Sequence, residues 1–189
     1  MIDKIANIEF YKNLYENEIN RKNEINGLVS FPTTLLTLMI GGGFYLYKPI
    51  FQNGIEKNSQ CISIIIAILA ILFAISIAVS IFFLIKMFHN LFRKYHYLPS
   101  PENLKNRQIE LFEHYNNFFT TTKRKKIKKK SIKLSKIEFR KDLLNYYIED
   151  STKNQIVNDR RCKDYYLSRH YLMISLILLA ISGILIIFK

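Results

Sequence analysis

Three long stretches of the chain carry almost only apolar side chains, and strongly polar stretches separate them. Residues 62–85 are 24 consecutive positions without a charged side chain. The hydrocarbon core of a bilayer is about 30 Å thick and requires about 20 apolar residues as a helix, whereas a buried helix of a soluble protein would show a polar face over that length. We therefore predict membrane spans at residues 28–47, 62–85 and 171–188, and an all-α integral membrane protein.

The polar stretches repeat their apolar residues at helical spacing. Residues 1–26 are predicted to form a helix that runs nearly into the first span, with Pro32 tolerated in the first turns of that span. Lys48 and Pro49 are expected to end the first span, and a short loop follows at residues 49–60. Helical spacing continues in the third polar stretch, residues 87–170. We predict helices at residues 102–119 and 134–148 with a basic loop at 120–131. A further helix at 151–170 is predicted to continue into the third span.

The distribution of lysine and arginine predicts the topology. Residues 87–170 contain 20 Lys and Arg against 9 Asp and Glu, while Lys57 is the only basic residue between positions 49 and 60. The positive-inside rule then places the N-terminus in the cytoplasm and the C-terminus outside. The predicted parts are an N-terminal cytoplasmic helix at 1–27, two spans with a short external loop at 28–86, a basic helical cytoplasmic domain at 87–170 and a third span at 171–189.

Net charge and cysteine usage add two expectations. The chain has a formal net charge of +13, and charges throughout residues 1–26 argue against a signal peptide. Cys61 and Cys162 lie beyond opposite ends of the second span, so we expect no disulfide between them.

A basic run in the third polar stretch is the first candidate site. No acidic residue occurs from residue 114 to 137. One interpretation is a site for a polyanion such as nucleic acid, an oligonucleotide or a nucleotide; a second is attraction to anionic lipid; a third is a solvated segment that enforces topology. The candidate residues are Lys123, Arg124, Lys125, Lys126, Lys128, Lys129, Lys130 and Lys133.

The first span carries the second candidate site. Ser30, Thr34, Thr37 and Gly41 follow each other at steps of four, three and four, which places them on one helix face. Such a face permits close helix packing, or it lines a pore formed by several copies in a closed ring, since three helices alone do not enclose a channel. The glycines at 41–43 indicate a hinge, close packing, or a loosened helix end.

A polar face precedes the third span. Asn154, Asn158, Arg161 and Tyr165 share one side of a helix and are predicted either to contact residues 1–26, for instance at Glu16, Arg21 or Glu24, or to bind a ligand.

The spans lack the charged residues that ion-driven transporters keep inside the membrane. The histidines have no metal-ligand spacing and the common catalytic motifs are absent. We expect no enzyme activity, no cofactor and no metal.

Two segments carry a family resemblance. The first is Tyr15-x-x-Glu18-x-x-Arg21-Lys22-x-x-Ile25, followed by Ser30-Phe31-Pro32 and Thr37. The second is Asn158-Asp159-Arg160-Arg161 with Asn154 before it and Tyr165-Tyr166-Leu167 after it. Together they resemble small bacterial membrane effectors of anti-phage defence, including effectors associated with nucleotidyltransferases and the Hailong-type effector.

The resemblance implies a homo-oligomeric ion channel, such as a tetramer, in the bacterial inner membrane. It also implies gating by a single-stranded DNA oligomer or cyclic nucleotide made by a partner nucleotidyltransferase, and depolarisation when the channel opens. Two alternatives stay open: a membrane anchor that recruits a cytosolic partner or anionic lipid, and a holin-like toxin that needs no ligand.

Overall fold

The described part of the chain is almost entirely helical. The computed structural model describes residues 7–53, 60–88, 94–118 and 124–187, and 94% of them are helical with no strand among them. The all-α prediction is confirmed. The helices found in these ranges are α1 (Ile8–Gly27), α2 (Ser30–Asn53), α3 (Gln60–Phe88), α4 (Pro101–Phe118) and α5 (Arg124–Ile187).

Three helical segments are long and apolar enough to cross a membrane. By length and composition they are Ile8–Lys48, Cys61–Phe88 and Lys128–Ile187. They contain the described residues of the three spans that the sequence predicts. The predicted continuation of the polar helix at 151–170 into the third apolar stretch is confirmed, because α5 has no break between Arg124 and Ile187.

The chain divides into two compact units. We call the first the polar unit (Met1–Arg21 and Tyr95–Val157) and the second the apolar unit (Lys22–Lys94 and Asn158–Lys189). Helices α1 and α5 contribute residues to both, and each unit is described by itself below.

In the apolar unit, buried residues follow a seven-residue repeat on both α3 and α5. Apart from Ser76, successive buried positions are three, four or seven apart, which is the spacing of a left-handed helix seam. On α3 the buried residues are Ser63, Ile66, Phe73, Ser76, Ile77, Ser80, Leu84 and Met87, and on α5 they are Asn158, Arg161, Asp164, Ser168, Leu172, Ser175 and Ser182. The repeat keeps one face of each helix turned towards its neighbours along the whole seam.

Buried hydroxyls join α3 to α5. Ser80 Oγ lies 2.9 Å from Ser168 Oγ, and each hydroxyl is 3.0 Å from the other residue's carbonyl oxygen, to which it can donate. Ser76 Oγ donates to the Tyr171 carbonyl at 2.9 Å. As residue numbers fall along α3 they rise along α5, so the two helices are antiparallel.

A second hydroxyl contact joins α2 to α5. The Tyr47 hydroxyl donates to Ser182 Oγ at 2.8 Å. A Cβ at Gly42 would meet Leu179 at 3.9 Å, and one at Gly183 would meet Leu46 at 4.0 Å. These contacts make α2 parallel to α5 and therefore antiparallel to α3.

Gly43 allows α2 to approach α3 closely. A Cβ at this position would lie 2.7 Å from Phe73 Cε1, so a larger residue would displace the ring. The close-packing interpretation of the glycines at 41–43 is confirmed at Gly43. The loosened helix end is wrong, because α2 continues to Asn53.

Two predicted boundaries are wrong. The loop predicted at residues 49–60 is helical up to Asn53, and residues 54–59 lie outside the described residues, while the candidate span ends at Lys48 as predicted. The predicted basic loop at 120–131 is helical from Arg124 onward, and residues 120–123 lie outside the described residues. Lysine and arginine are good helix formers, and no glycine or proline interrupts the run.

In the polar unit, α4 and α5 form an antiparallel hairpin. Ser131 Oγ donates to the Tyr115 carbonyl at 3.2 Å, and Arg107 Nε donates to Asp142 Oδ2 at 2.9 Å. The Tyr15 ring of α1 packs against the Tyr147 ring with 5.9 Å between centroids. The predicted helices at 102–119 and 134–148 are confirmed within the described residues.

The serine pair generates a stability prediction. Ser80→Ala and Ser168→Ala should each lower the free energy of unfolding by about 0.6–1.7 kcal/mol, and the double variant should cost less than the sum because both remove one shared contact. The measurement is a double-mutant cycle by denaturant titration in detergent micelles. Ser175→Ala is the matched control, because the Ser175 hydroxyl donates only within α5, to the Tyr171 carbonyl at 2.8 Å. Additive single effects would contradict a direct contact.

Candidate polyanion-binding and pore-lining surfaces

The basic run forms a surface on the first turns of α5. We call it the basic surface and define it as Arg124, Lys125, Lys126, Lys128, Lys129, Lys130, Lys133 and Lys136. The side chains of Lys128, Lys129, Lys130, Lys133 and Lys136 are exposed. Residues 124–126 are helical, but their side chains, like the whole of Lys123, lie outside what the structure describes.

Burial on the opposite side of α5 explains this exposure. Ser131 and Ser135 are buried, and the Ser131 hydroxyl bonds to the last turns of α4. Lys129, Lys133 and Lys136 follow each other at steps of four and three, which places them on one face.

Like charges one turn apart repel each other, which destabilises this part of α5. The positive end of the helix dipole at the beginning of α5 adds to the same field. A bound polyanion would reduce the repulsion between the lysines and offset the positive end of the helix dipole.

The four predicted pore-lining residues also share one surface. Ser30, Thr34, Thr37 and Gly41 are all exposed, on the side of α2 away from its buried residues. We call this surface the hydroxyl face. A Cβ at Gly41 would meet nothing within 4 Å. The face is therefore turned away from the described helices that α2 packs against in the apolar unit.

The hydroxyls of this face bond to backbone carbonyls three or four residues earlier in the chain. Thr34 Oγ1 donates to the Ser30 carbonyl and Thr37 Oγ1 to the Thr33 carbonyl, each at 3.0 Å, and Ser30 Oγ donates to the Gly27 carbonyl at 3.3 Å. Each donor is satisfied, while the lone pairs of the oxygens face outward. Oxygen lone pairs on an exposed helix face are suited to solvate a cation or water in a pore.

In the polar face before the third span, Arg161 contacts both α1 and α3. Arg161 is 4% exposed; its Nε donates to the Met87 carbonyl at 3.0 Å and its Nη2 to Asn26 Oδ1 at 2.5 Å. Met87 lies in the last turn of α3, where carbonyls lack a partner within the helix. The predicted contact with the N-terminal helix is confirmed for Arg161, at Asn26 rather than at one of the three charged residues that we named.

The other end of this face lies in the polar unit. The Asn154 amide accepts from the His96 backbone N–H at 2.9 Å and donates to the His96 carbonyl at 2.8 Å. It thereby holds the non-helical stretch 94–100 against α5. Burial raises the pKa of the neighbouring Asp150 carboxyl, and the nearby His96 acts in the opposite direction. Burial also raises the pKa of Tyr15, which a backbone hydrogen bond at Leu98 partly offsets.

The backbone carbonyl of Met87 and the amide of Asn26 were not identified from the sequence. A carbonyl carries no sequence signal, and one asparagine among the many in this chain is not distinctive. Within the described ranges, no group of three or more His, Cys, Asp and Glu is placed to hold a metal ion, and neither Cys61 nor Cys162 forms a disulfide.

Comparison of the chain with protein-family models, with curated proteins and with solved structures finds no match. The resemblance to anti-phage membrane effectors therefore remains a prediction from the sequence.

The Arg161 contact generates a second prediction. Arg161→Lys should lower the free energy of unfolding by about 1.5–3 kcal/mol, because an ammonium cannot serve both acceptors with the fixed fork of a guanidinium. Arg160→Lys is the matched control, since Arg160 is adjacent and exposed. Thermal unfolding in detergent micelles measures both variants. Equal stability of the two would show that the guanidinium geometry at position 161 is unimportant.

Proposed function

We propose that this protein is an oligomeric membrane effector of bacterial anti-phage defence. Several copies form an ion channel in the inner membrane, and a nucleic-acid or nucleotide ligand on the cytoplasmic basic surface gates it. Opening depolarises the membrane. The observation that carries the proposal is the exposure of at least five lysines on the first turns of α5 in a chain that also presents an exposed hydroxyl face.

The ligand class follows from charge. Lysines bind phosphate as point charges without reading sequence, which suits a single-stranded oligonucleotide or cyclic nucleotide. If four lysines each neutralise one phosphate, the logarithm of affinity should fall with the logarithm of salt concentration with a slope of about −3. The supplier of the ligand, a partner nucleotidyltransferase, rests on the family resemblance alone.

The channel follows from the hydroxyl face. In a bilayer an exposed polar face is covered best by the same face of further copies, which then surround a polar axis. Closed rings are the usual result of such assembly. The spans carry no charged side chain at mid-membrane, which favours passive conduction over ion-coupled transport. The excess of basic residues places the basic surface in the cytoplasm and the C-terminus outside.

Oligonucleotide binding tests the ligand half of the proposal. Replacing Lys129 and Lys133 together by Gln should reduce the salt slope by about 1.4, because two phosphate contacts are lost. Fluorescence anisotropy of a labelled single-stranded oligonucleotide with the detergent-purified protein at several salt concentrations measures this. Glutamine keeps the helix propensity of lysine.

The matched control replaces Lys105 and Lys163, two exposed lysines elsewhere, and changes net charge equally. It should retain the wild-type slope. Absence of salt-sensitive binding by the wild type would reject the ligand.

Conductance tests the channel half. Thr34→Val and Thr37→Val remove outward oxygens at nearly constant size and should reduce the unit conductance several-fold in reconstituted planar bilayers. Thr33→Val is the matched control, because the Thr33 hydroxyl also donates to a carbonyl four residues earlier, that of Val29, at 2.9 Å, but lies beside the hydroxyl face. A wild-type protein without conductance would reject the channel and favour the membrane anchor. Conductance and toxicity that never depend on a ligand would favour the holin-like toxin.

A further inference from the structure

An open groove runs between α2 and α3 in the apolar unit. It has a volume of about 700 Å³, and Lys48 is the only charged residue among those that line it. The groove belongs to neither the basic surface nor the hydroxyl face. Its side of α2 carries Ile40 and Phe44, which lie beside the hydroxyl face rather than on it.

Small residues on α3 create the groove. Ala70, Ala74 and Ala78 follow each other at steps of four and form its floor, while Gly43 and Phe73 hold the two helices together. Alanine side chains are too short to reach α2 across the gap. Phe44 forms part of the wall but stays 80% exposed, and none of the side chains that the structure describes fills the space.

The lining is apolar except at one end. Tyr47 lines the groove, but its hydroxyl donates to Ser182 in the buried core and does not make the groove polar. Lys48 is exposed, and because α2 and α3 are antiparallel it lies towards the Ala70 end. From Ala70 to Ile81 the groove extends about 16 Å along α3 at 1.5 Å per residue, roughly half the thickness of the hydrocarbon core of a bilayer. These are the dimensions and polarity of one acyl chain with an anionic group at its end.

We propose that the groove binds one acyl chain of an anionic phospholipid whose phosphate is bound by Lys48. The proposal rests on α2 and α3 crossing a bilayer. The charge of Lys48 selects this occupant over a second copy of the chain. A helix of a second copy would leave the ammonium against an apolar surface, which is costly in a membrane, whereas a phosphate accepts a charge-assisted hydrogen bond from it.

Native mass spectrometry of the full-length protein tests the proposal. The protein is released from detergent micelles supplemented with phosphatidylglycerol, which is anionic, or phosphatidylethanolamine, which is zwitterionic. The wild type should retain one phosphatidylglycerol per protomer and at least tenfold less phosphatidylethanolamine. Ala74→Phe fills the groove and should lower the bound fraction of both lipids at least tenfold. Ala180→Phe, which adds the same ring at an exposed alanine of α5, should behave as the wild type.

Lys48→Gln provides the second arm, because it adds no bulk and leaves the groove open. It should abolish the preference for phosphatidylglycerol while weak binding of both lipids persists. Unchanged phosphatidylglycerol binding by Ala74→Phe, or an unchanged preference in Lys48→Gln, would overturn the proposal. An Ala74→Phe protein that loses subunits while lipid binding is unaffected would assign the groove to a contact between copies instead. Neither readout depends on oligonucleotide binding or conductance.

Discussion

The arrangement of the apolar unit depends on the hydrogen bonds that α3, which carries no charged side chain between residues 62 and 85, makes with α5. Residues 62–85 of α3 offer no polar face that would orient the helix, so burial of apolar area favours many rotations and sliding positions almost equally. The reciprocal contact of Ser80 with Ser168 is satisfied in only one of them. In an apolar medium an unpaired hydroxyl or carbonyl is costly, and this cost selects one register of α3 against α5.

That register determines which surfaces the apolar unit presents. With α3 and α5 aligned, the Met87 carbonyl meets Arg161 and the Phe73 ring meets Gly43. The close approach at Gly43 orients α2 so that the side with Gly43 and Tyr47 is buried and the side with Thr34 and Thr37 is exposed. The hydroxyl face and the groove beside it are consequences of one packing arrangement. Any channel built from several copies would use a surface that these few contacts orient.

Much of this fold was predictable because long-range periodicity survives in the sequence. The apolar stretches, the helices of the polar unit and the unbroken passage into the third stretch all follow from spacing and from the absence of breakers. The partners of Ser80, Gly43 and Arg161 were not predictable, because each depends on how two distant helices align. The helical basic run was predicted as a loop, although lysine and arginine are good helix formers and no glycine or proline interrupts it. The hydroxyl face was found from spacing, but only packing shows it to be exposed.

The most direct test of the proposed function records current across a planar bilayer that contains oriented wild-type protein while a single-stranded oligonucleotide is added to one side at a time. The native cysteines report orientation, since neither Cys61 nor Cys162 forms a disulfide and the two are expected to react with a membrane-impermeant maleimide from opposite sides. The account predicts a current that changes, by closing or opening, only when the oligonucleotide is added on the side from which Cys162 is labelled. A current that never responds, or that responds equally from both sides, would contradict gating through the basic surface.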